Sequence, residues 1–159
     1  MCATLGTMFL HTEAEVVIAA PRDEVFDRLT TDDALSRYCK KRGPFAAIER
    51  AKTQGPVETG AERTITMGDG MVLQERILEL TRPERHEYEW RDPPLPLGAL
   101  IRSARGCWRF RDAGERTTAV SWHYTFELTS RFLRPAGKLL VGGFRGWMQA
   151  ALDRARDDF

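Results

Sequence analysis

The chain of 159 residues has a nearly balanced charge, with 24 Lys and Arg against 23 Asp and Glu. Its 42% hydrophobic and 30% charged residues exclude the disordered, collagen-like and coiled-coil classes. A net charge of +1 gives no overall attraction to polyanions, so we predict no nucleic-acid partner.

The length suits one domain, which we predict over residues 1–159 with its core at about 12–156. No apolar run approaches the length of about 18 to 20 residues that crosses a bilayer. The segment Met1–Leu10 lacks the basic region of a signal peptide, and Met8 is an alternative start.

Cysteine and histidine usage predicts a protein without a metal or cofactor. Cys2, Cys39 and Cys107 are too widely spaced for a zinc motif, and the three histidines are scattered. An odd number of isolated thiols is typical of a reduced protein, so we expect a cytoplasmic location.

The N-terminal part of the chain predicts one strand followed by two short helices. Pro21 suits the first position of a helix, and Thr31 or Asp32 can cap the next one. Gly43 and Pro44 end the second helix. The three predicted elements are Thr12–Ala19, Pro21–Thr30 and Asp32–Lys41.

Between Phe45 and Leu128, apolar residues alternate with polar ones, as in strands that bury one face. Gly68-Asp69-Gly70 and Asp112–Glu115 are signals for short turns, which join antiparallel strands because parallel strands need long crossovers. The predicted strands are Phe45–Thr53, Ala61–Met67, Met71–Leu80, His86–Trp90, Arg102–Arg111 and Thr117–Leu128.

The segment Phe132–Arg156 predicts a long amphipathic helix, with apolar residues at helical spacing. It contains four glycines, each of which destabilises a helix interior by up to about 1 kcal/mol relative to alanine. They indicate either close packing or a kink, or else a thin helix that leaves volume beside the sheet for a ligand. The glycines are Gly137, Gly142, Gly143 and Gly146.

Four segments carry a resemblance to a known family. Glu15–Phe26 resembles its opening strand, proline and first helix, and Gly55–Arg63 resembles the turn before its third strand. Glu75–Arg85 resembles a strand and proline corner, and Gly114–Trp122 a late strand of the family. Over about Glu13–Leu152 the chain resembles the START-like, or SRPBCC, superfamily. The most similar branch is that of polyketide cyclase/dehydrase and lipid-transport proteins.

The resemblance implies an α+β helix-grip fold. In this fold a seven-stranded antiparallel sheet wraps around a long C-terminal helix, and two short helices follow the first strand. Between sheet and helix it implies a cavity for a hydrophobic or aromatic small molecule, such as a lipid or a polyketide-like compound. Aromatic residues that share the apolar faces are the predicted ligand-binding residues: Tyr88, Trp90, Trp108, Phe110, Trp122, Tyr124, Phe144 and Trp147. One alternative is an interaction protein in which these rings fill the core.

A second alternative is a polyketide or aromatic cyclase or dehydratase that uses acid and base residues in the cavity. His86 either faces inward or lies at the exposed beginning of its strand. Glu75 has the same strand parity as Ile77, and if their shared face is the inner one, Glu75 faces the cavity beside Arg63. Leu78 has the other parity and favours the opposite facing. Glu75, His86 and the cavity tyrosines Tyr88 and Tyr124 are the candidate catalytic residues, and no spacing fixes an acid/base pair among them.

Two apolar segments are expected at the mouth of the implied cavity. Arg91–Leu100 is rich in proline and apolar for an exposed connection, and Phe132 stands beside the basic segment Arg131–Lys138. Such segments predict a gate, with a loop anchored on the core by Leu95 and Leu97 as the alternative. Basic residues beside apolar ones would also allow a transient contact with a membrane surface.

Overall fold

Seven strands form one antiparallel sheet in the computed structural model, which describes residues 8–159. The strands are β1 (Phe9–Ile18), β2 (Ile48–Thr53), β3 (Glu62–Met67), β4 (Val72–Thr81), β5 (Arg85–Arg91), β6 (Ile101–Gly114) and β7 (Thr117–Leu128). Their order in the sheet is β1-β7-β6-β5-β4-β3-β2, so β1 joins the end of the meander that β2 begins. This is the predicted seven-stranded antiparallel sheet. Cys2 lies outside the described residues.

Three α-helices accompany the sheet: α1 (Arg22–Leu29), α2 (Asp32–Tyr38) and the long α3 (Arg134–Asp157). Short 3-10 turns precede β6 at Leu97–Ala99 and α3 at Arg131–Leu133. The helix-grip architecture predicted from the resemblance is therefore confirmed. No helix in residues 8–159 is long and apolar enough to span a membrane.

The boundary between α2 and β2 differs from the prediction. The helix ends at Tyr38 rather than Lys41, because the carbonyl of Cys39 accepts a hydrogen bond from Ile48 N at 2.9 Å. Arg42 and Phe45 pair with each other across a tight turn, where Gly43 has a φ of +54°. The turn takes up the residues predicted as the beginning of β2.

The turn between β6 and β7 is also shorter than predicted. Strand β6 continues to Gly114, three residues beyond its predicted end, and only Glu115 and Arg116 separate it from β7. The register shifts between Asp112 and Gly114, where Gly114 has a φ of +135°, and this irregularity admits the extra residue.

A bulge in β4 reconciles the two facings predicted for that strand. Glu75 and Ile77 are both buried, so the first half of the strand turns these residues inward. The register shifts between Ile77 and Glu79, and after it the partly buried Leu80 packs against the core. Each facing is thus correct for one part of the strand.

Helix α3 crosses the inner face of the sheet at the β1 and β7 edge. A Cβ atom on Gly137 would lie 2.8 Å from side-chain carbons of both Leu10 and Leu128, so the helix approaches these strands closely. Arg145 Nε and Gln149 Nε2 donate hydrogen bonds to backbone carbonyls of β1. The close approach of helix and strands explains why position 137 is a glycine. The two hydrogen bonds cover part of the free edge of β1.

Candidate functional site

A cavity of about 770 Å³ lies between the inner face of the sheet and the first half of α3. Its walls are largely aliphatic and aromatic side chains from β2 to β5, β7 and α3. The size falls within the range of about 300 to 1,000 Å³ that is common for small-molecule sites.

Six of the eight predicted ligand-binding residues line this cavity. They form a continuous aromatic wall, in which Tyr124 contacts the Phe144 ring edge-on at 5.0 Å between centroids. Phe144 in turn stacks on Trp147 at 5.2 Å. The six residues are Tyr88, Trp90, Trp122, Tyr124, Phe144 and Trp147.

Trp108 and Phe110, the other two predicted ligand-binding residues, lie away from the cavity. Trp108 stacks on Trp122 at 4.4 Å on the far side of that ring, and Phe110 packs against Phe26 of α1 at 5.0 Å. Both rings have the predicted inward facing. However, α1, α2 and the second half of α3 cover this part of the sheet, so the two rings belong to the core.

The floor of the cavity is built around the ring of Tyr88. Its hydroxyl accepts a hydrogen bond from Trp122 Nε1 at 2.9 Å, and both residues are buried. The ring lies directly over Gly106 of β6, where any Cβ atom would overlap it. Burial raises the pKa of Tyr88 and of its neighbour Tyr124, so both phenols stay protonated and able to donate. Gly106 stands in a run that otherwise predicts an ordinary strand, and only its cross-strand partner shows its role.

Glu75 places a carboxyl group at the same floor, backed by an ion-pair network. Its Oε1 lies 3.3 Å from Nη2 of Arg63, which is itself 2% exposed. Arg63 also lies 3.6 Å from Asp32 at the start of α2, and Asp32 accepts two hydrogen bonds from Thr53. Thr31 caps the helix instead of Asp32.

The charge state of Glu75 follows from this setting. Burial raises the pKa of Glu75 to about 7, with Arg63 opposing the rise and Asp32 adding to it. Within residues 8–159, Glu75 Oε1 makes no hydrogen bond and has only its ion pair with Arg63, while Glu75 itself is among the residues that line the cavity. A carboxyl group in this state can donate or accept a proton near neutral pH.

His86 is buried, as the inward alternative predicted, yet it does not line the cavity. Its Nε2 lies 3.1 Å from Nη2 of Arg63, and because a guanidinium only donates, Nε2 must accept and the proton must lie on Nδ1. Burial, together with the charge of Arg63, lowers the pKa of His86 to about 3. The imidazole is therefore neutral, and it is hydrogen-bonded to Arg63 rather than exposed in the cavity.

The mouth of the cavity lies between the loop before β6 and the first half of α3. Pro96, Leu97 and Leu100 line it from the loop, and Leu139 and Leu140 from the helix. The sequence singled out both segments. It did not single out Phe45, which reaches the mouth from the tight turn and whose ring would lie 2.7 Å from a Cβ atom on Gly143.

Within residues 8–159, no three His, Cys, Asp or Glu side chains lie together in a way that could hold a metal ion.

Comparison with protein families gives one match over nearly the whole chain. The family model described as polyketide cyclase/dehydrase and lipid transport matches residues 10–159. Among curated proteins, none has a sequence that matches this chain.

The solved structures that share this architecture include two plant proteins and one protein of a biosynthetic pathway. Norcoclaurine synthase from Thalictrum flavum, in complex with dopamine and hydroxybenzaldehyde, is 13% identical with a TM-score of 0.68, covering 94% of this chain and 85% of that one. Major latex-like protein 151 from Panax ginseng is 12% identical with a TM-score of 0.69, covering 95% and 97%. The di-domain ARO/CYC BexL from the BE-7585A biosynthetic pathway is 19% identical with a TM-score of 0.68, covering 95% of this chain and 50% of that one. At these identities the likeness is one of fold.

Proposed function

This chain belongs to the polyketide cyclase/dehydrase and lipid-transport family, and we propose that it binds a hydrophobic or aromatic small molecule between the sheet and α3. The observation that carries the proposal is the cavity of about 770 Å³ with its largely aliphatic and aromatic wall, which includes the six predicted rings. A protein whose rings only filled the core would leave no such volume, which disfavours the interaction-protein alternative. We take the whole chain to act as one ligand-binding domain.

The chemistry of the walls supports an apolar ligand. Most lining residues are aliphatic or aromatic, so a ligand gains about 25 cal/mol for each Å² of apolar surface removed from water. The indole N–H of Trp122 already has its acceptor in the Tyr88 hydroxyl, so an apolar ligand leaves that donor satisfied. Such a site holds its ligand by burial, as a carrier does.

Native mass spectrometry tests this function directly. Protein purified from its source is expected to carry a mass that disappears under denaturing conditions. Leu140→Trp fills the cavity from α3 and should abolish this mass. Val17→Trp is the matched control, because Val17 is exposed on β1 and points away from the core. Equal retention by both variants would contradict the proposed site.

A second function, that of a cyclase or dehydratase, is favoured by one observation at the floor. The carboxyl of Glu75 and the phenols of Tyr88 and Tyr124 line the same apolar cavity, where a protonated carboxyl could activate a ketone. The test is whether the protein accelerates intramolecular aldol closure and dehydration of a linear diketone. Glu75→Gln should then lower the rate about a hundredfold without a matching loss of affinity. Binding without turnover leaves the carrier function.

We further propose a reducing, cytoplasmic location and a transient contact with a membrane surface. Cys39 and Cys107 are both free thiols, which suits a reducing compartment. Leu95, Phe132 and Leu139, near the mouth, have exposed fractions of 77%, 80% and 82%. Large exposed apolar side chains in the two mouth segments are suited to insertion between lipid headgroups.

A further inference from the structure

The charged residues of the cavity wall are unusual in being acidic only. Of the lining residues in the described part of the chain, Asp69 and Glu75 are the ionisable acids, and none is Lys, Arg or His. Asp69 is exposed at the rim, in the turn between β3 and β4, whereas Glu75 is 6% exposed at the floor. A ligand that enters the cavity therefore meets a carboxyl group at its inner end.

The nearest buried cation is already neutralised. Arg63 does not line the cavity, and its guanidinium faces Asp32 on one side and Glu75 and His86 on the other. Asp32 is held in place by the backbone N–H and hydroxyl of Thr53, each at 2.7 Å. Arg63 and Asp32 thus balance each other whether or not Glu75 is ionised.

A ligand carboxylate would find no counter-ion in this setting. Transferring an anion into an apolar cavity is strongly unfavourable unless a cation balances its charge, and the phenols of Tyr88 and Tyr124 are neutral donors that cannot do so. An ionised Glu75 would repel it as well. A carbonyl oxygen carries no net charge and can accept a hydrogen bond from a protonated carboxyl group.

We infer that this cavity selects neutral apolar molecules carrying a carbonyl group over carboxylate-bearing amphiphiles, with the carboxyl of Glu75 donating a hydrogen bond to the ligand's carbonyl oxygen. The inference rests on the proposed ligand-binding function and adds the chemical class of the ligand. The place of Glu75 in the cavity wall and the absence of Lys, Arg and His among the lining residues of the described chain carry it.

The inference also makes binding dependent on pH. The groups that face Glu75 are Arg63 from β3, Asp32 from α2, Tyr88 from β5, Tyr124 from β7 and the thiol of Cys39. His86 faces Arg63 from behind and stays neutral. Burial raises the pKa of Glu75 to about 7, so the donor form is present below that pH and is lost above it.

Three naphthalenes substituted at the same ring position test the selection by calorimetric titration of the full chain: acetylnaphthalene, naphthoate and naphthylmethylamine. At pH 6 the ketone is expected to bind at least about tenfold more tightly than the carboxylate. Because only the protonated form of Glu75 donates, the affinity for the ketone should fall about tenfold or more between pH 6 and pH 8.5.

Two variants locate the titrating group. Glu75→Gln retains a donor but cannot ionise, so its affinity for the ketone should be independent of pH. Glu62→Gln, at an exposed carboxylate of β3 that does not line the cavity, is the matched control and should keep the profile of the original protein. If Glu75→Gln does not fold, the infrared carbonyl band of the bound ketone serves instead. It should shift to lower frequency at pH 6 and return at pH 8.5.

The possible outcomes distinguish a failure of this inference from a failure of the proposed ligand-binding function. Tighter binding of naphthoate, or a pH profile that Glu75→Gln leaves unchanged, would overturn the inference and leave ligand binding intact. Tightest binding of the amine above pH 7 would show that Glu75 acts as a counter-ion and would also overturn it. If none of the three compounds binds the folded protein, the proposed function and the inference fall together.

Discussion

The hydrogen bond from Trp122 to Tyr88 joins two side chains that are shielded from water. Tyr88→Phe keeps the ring over Gly106 but leaves the indole N–H without its acceptor. We expect a loss of about 1 to 3 kcal/mol in the free energy of unfolding. Urea unfolding measures it. Tyr38→Phe is the comparison, because the Tyr38 hydroxyl donates to the half-exposed Asp158 and water can replace it. A smaller loss in Tyr88→Phe than in Tyr38→Phe would contradict this account.

His86 is expected to weaken the fold in acid. Its pKa of about 3 lies below the ordinary value of 6.5, so the unfolded chain binds the proton first and stability falls as the pH drops from 6.5 towards 3. Glu75 acts in the opposite direction: its pKa is raised from 4.5 to about 7, so stability falls as the pH rises through that window. The two effects oppose each other between pH 4.5 and 6.5.

His86→Gln removes the first effect and leaves the second. The difference in unfolding free energy between the variant and the original protein should be more favourable to the variant at pH 5 than at pH 8. Urea unfolding at both pH values measures it. A difference between His86→Gln and the original protein that is the same at both pH values would be inconsistent with a neutral, buried imidazole.

Strand parity predicted the facing of the aromatic residues but not their position along the strands. Trp108 faces inward as Trp122 does, yet it lies under the helices rather than in the cavity. Tertiary packing decides which part of a sheet face is covered by a helix. The alternation of apolar and polar residues within one strand does not predict this. The facing of Glu75 was undecided for a local reason, since the bulge after Ile77 reverses parity within the strand.

At the scale of whole elements, the loop before β6 and the segment before α3 are joined directly. The Thr129 hydroxyl donates to the carbonyl of Ala99 at 2.7 Å, and Thr129 N donates to Leu100 O at 3.0 Å. Leu95 is exposed, so only the partly buried Leu97 remains of the two residues predicted to anchor the loop. A movement of one segment should therefore carry the other.

Hydrogen exchange with and without acetylnaphthalene tests this coupling. Residues 91–100 and 130–140 should exchange rapidly in the empty protein and gain protection together when the ligand binds. Thr129→Val removes the side-chain link and keeps the backbone bond to Leu100, so it should weaken the coupling between the two responses. Slow exchange in the empty protein, unaffected by the ligand, would instead establish the anchored loop.

The sequence predicted the type and order of the elements better than their ends. Alternation and short turns are local signals, so all seven strands and the three helices could be assigned from them. The end of α2 is set by the bond between Ile48 and Cys39, a contact between residues nine apart that no periodic pattern marks. The beginning of α3 moved by two residues for a similar reason, since Ser130 caps a 3-10 turn first.

At the scale of the whole molecule, we expect the mouth of the cavity to be the face that meets a membrane. Phe132→Asp combined with Leu139→Asp should weaken binding to vesicles of phosphatidylglycerol and phosphatidylcholine at least about tenfold, because two large apolar side chains no longer insert. Co-sedimentation with the vesicles measures the change. Val17→Asp, on the opposite side of the sheet, should have no effect. Equal losses from the two sets of changes would exclude an oriented contact.

The pairing of β1 with β7 has a consequence for how the chain folds. Phe9 pairs with Glu127 and Ile18 with Thr118, so this ladder joins residues that are far apart in sequence, whereas β3 with β4 and β6 with β7 form local hairpins. Loop-closure entropy delays such distant contacts, and a high contact order is associated with folding in milliseconds to seconds. On the ribosome, β1 must wait for the last strand of the sheet, and the aromatic wall stays open until α3 follows. A nascent chain held before α3 emerges should therefore bind chaperones through the surface that later encloses the ligand.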